Sequence, residues 1–150
     1  DEMGKKFIPH VFEISIGVDR TFFAILDNAY RHENERVFLS LNPEIAPLDV
    51  SIFPLLSNNE ELIKKAKQVY EMIKNDFDAF YDESGSIGKR YARIDEVGCP
   101  FCITIDFDSL EKNDVTIRER DSTKQKRVKI DDLKGIIKKL LKNEIEFNKI

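Results

Sequence analysis

Hydrophobic and polar positions alternate from His10 to Gly17. Phe12, Ile14 and Ile16 fall on one side, and Val11, Glu13, Ser15 and Gly17 on the other. A period of two predicts a strand there. From Thr21 the period lengthens, and Phe22, Phe23, Leu26, Ala29 and Tyr30 mark one face of a helix. "RHENER" reads as a polar loop. "VFLSLNPEIAP" reads as a short strand running into a proline-marked crossing, which places a boundary near Asn42 to Pro47.

Beyond the boundary the pattern resumes. Val50 to Leu55 predicts a strand. Ser57 and Glu60 have the spacing of a capping box, ahead of a helix striped by Leu62, Ala66, Val69 and Ile73. "FDAFYD" predicts a short strand, and "SGSIGKRYARIDEVG" a glycine-rich turn and a helix ending at Gly98. "FCITIDF" predicts another strand. "DVTIRERD" and "KQKRVKI" flank a turn at Asp121-Ser122-Thr123, which predicts a hairpin. A last helix starts at Asp131 or Asp132 and carries Leu133, Ile136, Ile137, Leu140 and Leu141. Strands and helices in this order predict an α/β layered fold with a mixed sheet.

Composition narrows the classes. The chain has 150 residues, of which 41% are hydrophobic and 35% charged, so one domain plus a piece of another fits. No apolar run is long enough to span a bilayer. The start, "DEMGKKFIPH", has neither an initiator Met at position 1 nor a cleavable apolar segment, which is expected of a chain that was processed or cut from something longer. Two cysteines do not make a disulfide framework, which favours a reducing compartment. Net charge is −4, but Ile117 to Lys142 holds ten Lys or Arg against four Asp or Glu. A nucleic-acid contact on that segment competes with a merely solvated hairpin and helix.

Four places carry candidate chemistry. Arg20 opens its helix against the macrodipole, and a bound phosphate would relieve that cost. Glu13, Ser15 and Gly17 share a strand face on which a carboxylate can hold an ammonium group and a glycine admits a flat ligand. Lys89, Arg90 and Arg93 crowd the front of the next helix, again reversed relative to the dipole. In "TIRERDSTKQKR", Arg118 and Arg120 can neutralise phosphates. Asp121 and Gln125 can meet base edges there, and Phe101 offers a stacking surface. Surface ion pairs and an exposed polar hairpin are the plain alternatives. "CPFC" invites a redox reading, but no helix follows it to lower a thiol pKa. A second pair of zinc ligands is missing as well.

Together these segments resemble one family. "VFEISIGVDR" resembles motif 3 of a class II aminoacyl-tRNA synthetase: a strand, a glycine turn and an arginine opening a helix. "PEIAPLDVSIFPL", "DESGSIGKRYARIDEVGCPFCITIDFD" and "TIRERDSTKQKRVKI" resemble, in order, the C-terminal anticodon-binding domain of glycyl-tRNA synthetases of the archaeal and eukaryotic type. The resemblance implies that residues 1–45 are a strand-helix-strand remnant of the catalytic domain. Residues 46–150 would be an anticodon-binding domain with a mixed sheet of about five strands, flanked by helices. It further implies that Arg20 meets ATP, that Glu13, Ser15 and Gly17 line the glycine site, and that glycine is attached to tRNA with ATP and Mg2+.

A homodimer in the cytoplasm is expected for the full-length enzyme, without membrane or DNA partners. Motifs 1 and 2 are absent, so this piece alone is expected to be inactive and to hold no cofactor. Chemistry and position, rather than the resemblance, select Lys89, Arg90, Arg93, Phe101, Arg118, Arg120, Asp121 and Gln125 as the RNA-reading groups. The alternatives are a non-catalytic RNA-binding accessory protein of the same fold, a prolyl, threonyl or histidyl relative, and a Cys-x-x-Cys oxidoreductase.

Overall fold

The structure, a computed structural model, describes residues 4, 6 and 8–150. Helix α1 (Val18–Ala29) leads into a hairpin of β1 (Tyr30–Glu33) and β2 (Arg36–Leu39). A 3-10 turn at Pro43–Ile45 follows, and then β3 (Val50–Pro54), α2 (Glu60–Ile73), β4 (Ala79–Tyr81), α3 (Ile87–Val97) and β5 (Phe101–Ile105). The chain ends with α4 (Phe107–Lys112), β6 (Asp114–Glu119), β7 (Gln125–Lys129), α5 (Leu133–Leu141) and a 3-10 turn at Phe147–Lys149.

Five strands form one mixed sheet in the order β4-β3-β5-β6-β7. β3 is parallel to β4 and to β5, while β5, β6 and β7 run antiparallel in succession. β4 and β5 lie on opposite sides of β3. Right-handed crossovers therefore put α2 and α3 on opposite faces of the sheet. The side chains follow this division. Val50, Ile52, Ile103, Ile105, Val115 and Ile117 meet Leu62, Ala66, Val69 and Ile73 of α2 and Leu133 and Ile137 of α5. On the other face, Phe53 and Cys102 pack with Ile94 of α3 and with Cys99. β3 is buried along its whole length, as expected of a central parallel strand.

Several expectations are corrected. Residues 10–17 form no strand, and Phe12 is 91% exposed and Ile14 and Ile16 each 74%. Alternation alone does not make a strand, because its backbone groups need a partner ladder and none pairs with them among the described residues. "RHENER" is not a loop: its ends are β1 and β2, joined by a two-residue turn with positive φ at Asn34 and Glu35. Such a turn matches the twist of a hairpin. Ser57 and Glu60 form no capping box. Asn59 caps α2 instead, its side chain accepting from the Leu62 N–H at 3.0 Å. "FCITIDF" stops as a strand at Ile105, because Asp106 and Ser109 form a capping box that starts α4.

The helix end at Gly98 is as expected, with φ +91°. A Cβ there would lie 2.8 Å from Leu41 Cδ1 and 3.2 Å from the Leu39 carbonyl, so Gly98 also lets the end of β2 and the residues after it press against α3. Gly98→Ala should therefore lower stability by at least about 1 kcal/mol, since both the left-handed backbone and the contact oppose a methyl group. A lower urea midpoint with an unchanged slope would show it.

Candidate nucleic-acid interface

The N-terminal candidates stay apart from the rest. Glu13, Ser15, Gly17 and Arg20 are all exposed. Gly17 caps α1 through its backbone, with the Thr21 hydroxyl donating to the Gly17 carbonyl at 3.1 Å. These residues do not by themselves enclose a ligand. Among the described residues no three His, Cys, Asp or Glu side chains are grouped to hold a metal ion, so no step is assigned to Mg2+ here.

The arginines chosen for RNA are mostly spent inside the domain. Arg90 is 1% exposed and donates to the carbonyls of Pro54, Leu55, Gly85 and Asp82, closing the ends of β3 and its loop. Burial holds its pKa below the usual arginine value. Arg118 is buried and pairs both nitrogens with Asp95, at 2.9 and 3.0 Å. Burial opposes its charge, but the Asp95 carboxylate outweighs burial and raises its pKa. Arg120 is 2% exposed and donates to the carbonyls of Gly98 and Leu41 and to the Asp121 carboxylate. Phe101 is buried, stacked on Phe147 at 6.3 Å. Arg90, Arg118, Arg120 and Phe101, expected from the sequence to meet RNA, are thus engaged by partners inside the domain. β6 alternates, with Ile117 in the core beneath α2 and α5 and Arg118 under α3 and the β1–β2 hairpin instead of facing water.

The polarity of α3 resolves the same way. Arg93 pairs with Asp82, whose pKa is lowered because Arg93, the Ser84 N–H and Arg90 outweigh its partial burial. Lys89 is exposed. Neither Arg90 nor Arg93 needs a bound anion to account for its position.

A free polar surface remains around the β6–β7 turn. Asp121, Lys124 and Gln125 are exposed, and Lys126 is half-buried. Beside them lies a cleft of about 400 Å³, whose lining includes Pro43, Pro100, Glu119, Arg120, Asp121 and residues of the C-terminal segment. Glu119 lines the cleft, although nothing local in the sequence marks it off from the other charges of its strand. Asn143, Glu146 and Asn148, which also line the cleft, follow α5 and carry no periodic or motif signal. The cysteines offer nothing to this surface. Both are free and buried, and burial pushes Cys99 up to about 11 and Cys102 well above the ordinary thiol value.

Residues 49–140 match the family model described as "Anticodon binding domain". The chain belongs to this anticodon-binding family. The anticodon-binding fold also recurs, at 25% identity and a TM-score of 0.64, in the crystal structure of prolyl-tRNA synthetase from Cryptosporidium parvum complexed with halofuginone and AMPPNP. That match covers 70% of this chain and 23% of the other. Among curated relatives, the glycine–tRNA ligase of Methanocaldococcus jannaschii is 48% identical over 140 residues, 93% of this chain and 24% of that protein. That of Clostridium kluyveri is 48% identical over 139 residues, 89% of this chain and 29% of that protein. That of Borrelia garinii is 42% identical over 151 residues, 97% of this chain and 34% of that protein. This anticodon-binding chain therefore spans about a quarter to a third of the length of these relatives.

Asp95→Asn should cost about 3–5 kcal/mol, because it leaves Arg118 buried without its counter-charge. Asp82→Asn, at a partly exposed pair, should cost about 1 kcal/mol or less; denaturant titration compares them. Cys99 and Cys102 should resist a thiol reagent in the native protein and react in urea. Their raised native pKa values keep them protonated while unfolded thiols ionise. Stability should thus be full below about pH 8.5 and fall as pH rises through the native values, by about 1.4 kcal/mol per pH unit for each thiol.

Proposed function

We propose that this chain is the C-terminal part of a glycine–tRNA ligase, in which residues 46–150 bind the tRNA anticodon and residues 1–45 complete the catalytic domain. The observation that carries the reading is the 48% identity to a glycine–tRNA ligase along 93% of the chain, through both parts. The 25% identity to the prolyl enzyme is much lower over a shorter stretch, which favours glycine. In the full-length enzyme, the activity is ATP-dependent attachment of glycine to tRNA in the cytoplasm by a homodimer. Arg20 meets ATP phosphate there, and Glu13, Ser15 and Gly17 line the glycine pocket. The exposed apolar side chains Phe12, Ile14, Ile16, Phe22 and Phe23 support this, since they suit a surface that the rest of a catalytic sheet covers. Positioning and charge stabilisation need the complete site, so the chain alone does not aminoacylate.

For the anticodon arm, the groups at the surface are Lys89, Lys124 and Lys126 toward phosphates and Gln125 and Asp121 toward base edges. Arg93 joins them only by leaving Asp82. Binding to a glycine tRNA transcript, compared with one whose two anticodon C bases are changed, tests the reading across a salt series. Tighter binding to the unaltered transcript at every salt is expected. Equal binding that falls steeply with salt would overturn base reading by this domain.

A further inference from the structure

We propose that the groove between α5 and the turn after α2 docks one amphipathic helix of a partner protein, seated by its apolar stripe and held by its carboxylates. This goes beyond the tRNA reading and stands independently of it. The groove has a volume of about 460 Å³, with Phe77 and Leu141 as its apolar floor. Lys134, Gly135 and Lys138 of α5, with Lys142 just beyond it, line one side, and Asp76 the other.

Two features of this side have no use inside the chain. The first is charge. Lys134 is spent on Asp76, its Nζ donating to Oδ2 at 2.5 Å. Lys138 and Lys142 are exposed, and among the described residues no carboxylate pairs with them. Like charges four residues apart on a helix repel, and carboxylates brought in by a partner remove that cost. The second feature is Gly135. Its backbone φ is not left-handed, and a Cβ there would meet nothing within 4 Å. Alanine would make the better helix, so no contact within the chain asks for glycine. A missing side chain at the groove's edge serves what lies across it, because helix axes approach more closely where the contact side chains are small.

Charge decides the occupant. Past Asp76 and Phe77 the surface continues into a second hollow lined by Asp49 and Asp78. Lysines therefore stand on one side of the apolar floor and carboxylates on the other. A nucleic-acid strand is anionic along its whole length and would meet those carboxylates. A protein helix can carry its acidic residues along one edge of its apolar stripe only, which is the arrangement the groove matches. From Lys134 to Lys142 the chain advances about 12 Å at about 1.5 Å per residue, enough for two turns of a docked helix.

The experiment uses the 150-residue chain and a fluorescein-labelled, end-blocked peptide. The peptide has about sixteen residues, with Leu at i, i+3, i+4 and i+7, Glu along one flank of that stripe, and Ala and Gln elsewhere. Fluorescence anisotropy should show binding in the micromolar range. Replacing its Glu by Gln should weaken binding about tenfold, as should Lys138→Glu combined with Lys142→Glu in the protein. Gly135→Ala should raise the urea midpoint and yet weaken the peptide, and Gly135→Leu should abolish binding. Lys64→Glu, on the exposed face of α2, should leave the affinity unchanged. An oligouridylate of equal charge should not displace the peptide. The proposal is overturned if the peptide does not bind, or if its affinity survives Gly135→Leu or the double lysine reversal. Displacement by the oligouridylate overturns it in favour of a nucleic-acid surface.

Discussion

Asp95 is the hinge of the structure. Its carboxylate is 1% exposed and takes Arg118 of β6 through two nitrogens and Arg36 of β2 through two more. Arg36 also reaches the Arg120 carbonyl. One buried anion thereby joins the N-terminal hairpin, the helix on one face of the sheet and the strand that leads to the β6–β7 turn. A buried carboxylate is costly unless paired, and two guanidinium groups competing for it leave few alternative arrangements. The register of β6 against β5 is held twice, by apolar alternation on one face and by this pairing on the other.

The consequence reaches the surface around the β6–β7 turn. Arginine is suited to phosphate, and it is equally suited to buried carbonyls and carboxylates, because its planar fork can satisfy several acceptors at once. Here Arg90, Arg118 and Arg120 serve the interior and lysines are left for the exterior. Lysine is a compact, mobile point charge, appropriate where a flexible backbone must be neutralised without a fixed geometry. The walls of the cleft come from the hairpin, the turn before β3 and the segment after α5. Arg120 grips the Leu41 carbonyl at 2.9 Å and the Asp121 carboxylate, so the cleft is tied to the linker between the two parts of the chain.

The N-terminal part shows the opposite situation. Its hairpin is anchored through Arg36 and through the close approach of Leu39 and Leu41 to Gly98, whereas the segment before it carries its apolar side chains outward. A strand pattern without a neighbouring strand has nothing to satisfy its N–H and C=O groups except water.

Local signals in the sequence determined the elements of the second part. The stripe of Leu62, Ala66, Val69 and Ile73 is the buried face of α2. Gly98 ends α3, and the polar turn after Glu119 makes a hairpin. Period, caps and turn chemistry are short-range properties, so they can be read along the chain. Only the tertiary structure decided what each polar residue faces. Arg118 lies on the side that alternation assigns, yet α3 covers that side and supplies Asp95. Phe101, a plausible stacking platform by type, is closed off by Phe147, which lies far along the chain. Glu119 and Asn148 meet at one cleft only because the last turn packs back against the hairpin. Burial and partnership depend on residues distant in sequence, and a pattern of two or 3.6 cannot encode them.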